Sequence, residues 1–107
     1  METGIIEVQV TCGSLRDAKK IAETLVAEKL VACANINEVE SVYRWKGKFE
    51  HHSEWTVHMK TAEALYAKVE NRSKELNSYE QPAIFAVELK PMEEGFKKWV
   101  LENVKIL

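Results

Sequence analysis

The sequence has few of the residues that build anything other than a plain hydrophobic core. Its 107 residues include only two cysteines, Cys12 and Cys33, two prolines and four glycines. Two cysteines are too few for a disulfide framework, and their spacing fits neither a zinc ribbon nor a CxxC pair, so a reducing, cytoplasmic setting is expected. Neither charge is in excess: 15 Lys+Arg stand against 17 Asp+Glu, which leaves no footprint for nucleic acid. No apolar run approaches the ~18 residues of a membrane span. The start, METGIIEVQV, lacks a basic region and a signal-length apolar stretch, so neither a membrane partner nor secretion is expected. Glycine-rich phosphate loops, repeats and Pro/Gly/Ser-rich linkers are absent too, which leaves one domain over residues 1–107.

What is there is clear patterning. Ile6, Val8, Val10 and Cys12 alternate with Glu7, Gln9 and Thr11, the period of a half-buried strand. Gly13 breaks it, Ser14 can cap with Asp17, and Leu15, Ala18, Ile21, Ala22, Leu25 and Val26 recur at helical spacing to about Lys29. A hairpin turning at Gly47 follows, its second arm setting Trp55, Val57 and Met59 against Glu54, Thr56, His58 and Lys60. Thr61 can cap a second helix striped by Leu65, Val69 and Leu76, ending near Asn77. Pro82 opens a last strand with Ala83, Phe85, Val87 and Leu89 inward, Pro91 stops it, and Phe96, Trp99 and Val100 suggest a closing helix.

Strand, helix, strand, strand, helix, strand, helix is the split βαβ order of a ferredoxin-like α+β sandwich with an antiparallel sheet. Each hairpin arm, at about a dozen residues, would reach ~40 Å. A globule of this length is only about 34 Å across. The hairpin should therefore overhang, and Trp45, Phe49 and Trp55 on it imply self-association. The alternative is a bulge around Asn37 to Ser41 that folds the ribbon back onto its own core.

Candidates for chemistry are sparse. No motif frames a nucleophile beside a base. Cys33, within LVACANI, reads as a small buried hydrophobe, and Cys12 ends a strand where a turn can line a cleft. His52, Glu54 and His58 share one strand face but spread over ~20 Å, so two could meet one ion and three could not. Together with Cys12 they are the weak metal candidates. Lys60 beside Thr61 at a helix start would suit an anion, and Tyr79 and Trp45 could wall a pocket.

Taken together, the runs IAETLVAEKLVACANI, SVYRWKGK, EWTVHMKT and YEQPAI resemble the CutA divalent-cation tolerance family over Ile6 to about Val100. The resemblance implies a ferredoxin-like subunit whose long hairpins interlock into a very stable homotrimer, and a link to copper and other divalent ions. It also implies an intersubunit cleft at Cys33, Trp45, Lys60, Thr61, Tyr79 and Pro82, with Trp45, Phe49, Trp55 and Pro82 as interface residues. From bacterial members, the resemblance further implies copper ligands at a strand-one cysteine and at histidines before the motif tyrosine. Val10, Leu76 and Asn77 occupy those positions here, and Ser78 and Ala83 replace the motif's proline and glutamate.

The expectation is thus a cytoplasmic, non-enzymatic homotrimer in metal tolerance or signalling. Its only candidate cofactor is a divalent metal ion such as copper, and a small anionic metabolite on Lys60 is a further candidate partner. Alternatives are a trimeric ligand sensor similar to PII proteins, a structural scaffold, and an acylphosphatase, for which Arg16 stands without the rest of the phosphate loop.

Overall fold

The alternation from Ile5 to Cys12 does produce a strand, and the position of that strand organises everything else. The computed structural model describes residues 4–106. Its elements are β1 (Ile5–Cys12), α1 (Leu15–Ala27), β2 (Cys33–Trp45), β3 (Lys48–Ala62), α2 (Tyr66–Leu76), β4 (Ile84–Glu88) and α3 (Glu94–Glu102). The four strands form one antiparallel sheet in the order β2-β3-β1-β4. This is the expected α+β architecture.

The sheet has two unlike faces because side chains alternate along each strand. Ile6, Val8, Val10 and Cys12 of β1 meet Val57 and Met59 of β3 in a core completed by Ala18, Ile21 and Leu25 of α1 and Val69 of α2. A smaller cluster joins Ile5 and Ala32 to Val100 of α3. Burying a side chain of the size of Ile21 contributes about 1.5–3 kcal/mol, so this face holds the subunit together. The opposite, outer face carries Glu7, Gln9 and Thr11, with α3 packed at its Ile5 end through Val100.

Local signals work as read at several points. The Ser14 hydroxyl accepts from the Asp17 N–H at 3.1 Å and caps α1, which stops at Ala27, two residues before the expected end. Lys46 (φ 50°) and Gly47 (φ 79°) turn the hairpin, the pair of positive φ values that a two-residue type I′ turn requires. Strand pairing then runs from Trp45↔Lys48 to Cys33↔Lys60 without a break. No bulge interrupts Asn37 to Ser41, so the folded-back alternative is excluded. The ribbon projects, the molecule measures 44 × 27 × 21 Å, and Phe49 is 70% exposed.

Several expectations need correction. β4 begins at Ile84, and its inward residues are Ile84 and Ala86, paired with Val10 and Val8. Phe85 and Val87 point to the outer face and are exposed, since pairing with β1 fixes the phase. Pro82 is buried but lies outside the strand. Thr61 does not cap a helix: β3 continues through Ala62 to stay paired with β1, and the Thr61 hydroxyl donates to the Leu30 carbonyl at 2.6 Å. A 3-10 turn, Glu63–Leu65, with no side-chain cap then leads into α2. Trp55, finally, packs against the subunit's own core and so lies apart from Trp45. Phe49, two residues from the turn, is on the face opposite Trp45, because Trp45 pairs with Lys48.

The hairpin parity also moves Cys33. It pairs with Lys60 on the outer face and is half-buried, where the sequence had suggested core packing.

Candidate functional site

The turn at Lys46-Gly47 decides which side chains share the outer face of the ribbon. Pairing puts Glu54 opposite Val39, His52 opposite Ser41 and Glu50 opposite Tyr43. Ser41, Tyr43, Trp45 and Glu54 therefore lie on one side. The segment 78–83 crosses over them from the end of α2 to β4. Between ribbon and crossover lies a cleft of about 520 Å³, lined by Thr11 of β1, by Ser41, Tyr43 and Trp45 of β2, by Glu54 of β3, and by Ser78, Tyr79, Glu80, Gln81 and Ala83.

Asn77 holds the crossover in place. Its side-chain amide donates to the Thr11 carbonyl at 3.1 Å, and its Oδ1 accepts from the Tyr79 N–H at 2.9 Å. Ser78 donates to Asp17 at 2.5 Å. Tyr79 is thereby aimed across the cleft, and its hydroxyl donates to Glu54 Oε2 at 2.5 Å. Burial, and then the Glu54 carboxylate that accepts its proton, raise the Tyr79 phenol well above its ordinary value. Glu54 is only 5% exposed, although it lies on the face of β3 opposite the inward Trp55 and Val57. At the rim, Lys46 Nζ is 3.6 Å from Glu80 and 5.6 Å from the centroid of Trp45.

Of the six residues expected around a cleft, Trp45 and Tyr79 line this one. Lys60, Cys33, Thr61 and Pro82 do not. Lys60 sits ~20 Å further along β3 than Glu54, donating to Asn35 Oδ1 at 3.0 Å and paired with Glu7 Oε1 at 3.3 Å. It has no helix N-terminus beside it, so the anion site that the sequence suggested at Lys60-Thr61 is not assembled within the chain. The carboxylates Glu54 and Glu80 in the lining further disfavour an anion in the cleft.

Around Lys60 lies a second, polar group of residues. Glu7 Oε2 is 3.0 Å from Gln9 Nε2 and 3.1 Å from His58 Nδ1, and His58 Nε2 is 2.8 Å from Asn37 Oδ1. Burial opposes ionisation of Glu7, but hydrogen bonds from His58, Gln9 and Lys60 outweigh it and hold its carboxyl below its ordinary value. This network bridges β2, β3 and β1 on the outer face.

The four weak metal candidates are dispersed. Cys12 is buried in the core, and burial, with the Asp17 and Glu54 carboxylates adding to it, pushes its thiol up to about 12. His52 is engaged by the Tyr43 hydroxyl at 2.7 Å, Glu54 by Tyr79, and His58 by Glu7 and Asn37. Among the described residues no three His, Cys, Asp or Glu side chains come close enough to share an ion. The positions at which the resemblance would place copper ligands do not fit that role either. Val10 is a core residue, Leu76 packs against the core, and both ends of the Asn77 amide are spent on the crossover.

Sequence reasoning missed Ser41, Tyr43, Glu80, Gln81 and Thr11 as cleft residues. A signal existed for two of them: once the turn is at Lys46-Gly47, Tyr43 and Ser41 must share a face with Trp45.

Comparison with known proteins fits this geometry. A family model described as CutA1 divalent ion tolerance protein matches residues 6–103. The chain is 37% identical over 101 residues to the divalent-cation tolerance protein CutA of Pyrococcus horikoshii, covering 94% of this chain and 99% of that one. Among solved structures, CutA1 from Pyrococcus horikoshii superposes with a TM-score of 0.89 at 36% identity, covering 94% of this chain and 98% of the other. A protein described as the periplasmic divalent cation tolerance protein CutA from Archaeoglobus fulgidus gives 0.91 at 33% identity, covering 94% and 99%.

Proposed function

Since the chain belongs to the CutA1 divalent ion tolerance family, we propose that it acts as a cytoplasmic homotrimer in the tolerance of, and signalling response to, divalent metal ions, copper foremost. It acts by assembly and binding, without catalysis. The observation that carries this reading is the straight hairpin. Its tip leaves Val42, Trp45 and Phe49 exposed, and the outer face adds Phe85 and Val87. Apolar surface of this extent on a projecting ribbon calls for further copies of the chain. The buried, protonated thiol of Cys12 supports a role without nucleophilic catalysis.

A native mass spectrum of the reduced protein, with and without Cu(II) and Zn(II), tests the reading. Three chains are expected. A monomer would overturn the account of the hairpin. Copper retained by the trimer and lost in His52→Ala would locate a metal contact that Val10, Leu76 and Asn77 do not supply. A second reading, a trimeric sensor of a small ligand similar to PII proteins, is favoured by the cleft between Trp45 and Tyr79 and predicts saturable binding of a metabolite.

A further inference from the structure

We infer that the cleft between the hairpin and the 78–83 crossover is a site for an organic cation, an ammonium or guanidinium group, held by the Glu54 carboxylate among the rings of Tyr43, Trp45 and Tyr79. The inference rests on the second reading above and names its ligand class.

Glu54 is the reason. It is 95% withdrawn from solvent, and one of its oxygens accepts from the Tyr79 hydroxyl. Its other oxygen has no protein donor among the described residues, and no Lys, Arg or His there pairs with the group. A largely withdrawn carboxylate with a single neutral donor is stabilised by a positive charge brought against its open oxygen. The cleft that contains it has room for a small molecule and is walled by three aromatic rings. Aromatic faces carry negative charge density and attract weakly hydrated cations.

The same features exclude other occupants. Anions would meet Glu54 and Glu80. Neutral apolar molecules would leave the carboxylate uncompensated. A Mg²⁺ or Ca²⁺ ion needs six or so oxygens and Zn²⁺ needs about four ligands, whereas one buried carboxylate is offered beside rings. The chain also makes this kind of contact for itself at the rim, where the Lys46 ammonium lies over the Trp45 ring and beside Glu80.

The test is titration of the protein, in its assembled form, with tetramethylammonium, n-butylammonium and ethylguanidinium chlorides, followed by calorimetry and tryptophan fluorescence. Sodium chloride and n-butanol are the controls. Saturable binding of the organic cations alone is expected, weakened by about tenfold in Glu54→Gln and several-fold in Trp45→Leu. The Trp45 variant keeps the test decisive should the Glu54 variant fail to fold. Cations that dissociate the assembly, together with a weakened Glu54→Gln assembly, overturn the ligand site by showing that a side chain of a second copy occupies the cleft. Absence of saturation and of any effect on assembly, or binding unchanged in both variants, overturns the assignment. Saturation by nucleotides or organic acids with no response to the three cations overturns it too, while leaving the sensing reading standing.

Discussion

Gly13 and Tyr79 are in contact so close that a Cβ on Gly13 would fall 2.8 Å from Cε1 of the Tyr79 ring. The ring reaches Glu54 only because residue 13 has no side chain. Gly13→Ala is therefore expected to displace the phenol, break its hydrogen bond to Glu54 and cost about 1–3 kcal/mol. Thermal unfolding reads the loss, and a Gly13→Ala protein as stable as the parent would show that the ring moves aside freely.

Ser73 offers the opposite case. It is fully buried in α2, and its hydroxyl has no hydrogen-bond partner among the described residues. Removing an unsatisfied buried group relieves a desolvation cost, and alanine is the better helix former. Ser73→Ala should raise stability by ~0.5 kcal/mol, visible as a higher urea midpoint with an unchanged slope.

Phe85 separates subunit stability from assembly. It is 47% exposed on the outer face and contributes nothing to the core clusters. On the trimeric reading, Phe85→Asp should leave the circular dichroism spectrum intact while native mass spectra shift from three chains to one. A fully trimeric Phe85→Asp protein would mean that this part of the sheet is not covered.

Cys12 gives a pH dependence of known sign. Its thiol ionises near 9 when unfolded and is pushed up to about 12 in the fold. The unfolded chain thus loses its proton first, and the stability from this group is complete below about 9 and lost as pH rises from there to about 12. Urea midpoints between pH 8 and 11 should fall more steeply in the parent than in Cys12→Ala. Parallel slopes would exclude the thiol as the source. In the native protein a thiol reagent should reach Cys33 well before Cys12.

Where the sequence was readable and where it was not follows from the range of the interactions. β1, the Ser14 cap and the turn at Lys46-Gly47 depend on neighbours in the chain, and each was legible. The phase of β4 was not: Phe85 and Val87 look as apolar as Ile84 and Ala86, and only pairing with Val10 and Val8 chooses between them. Thr61 resembles a cap locally, yet Ile5 pairs with Ala62 and keeps β3 extended. Glu54 looked like a solvated carboxylate because nothing nearby announces that Tyr79, 25 positions away, folds over it. Lys60 was separated from the cleft by the same ladder that brought it to Glu7.

The central place of β1 sets an order of events during folding. β1 precedes both of its partners, β3 and β4, in the chain, so it leaves the ribosome unpaired. The hairpin, whose contacts are local, can zip early. Ile5–Cys12 must wait for Lys48–Ala62 and then Ile84–Glu88 before its backbone amides are satisfied. Until then a strand in which apolar and polar residues alternate has both edges open, which makes the nascent chain most prone to misassociation before β4 has emerged.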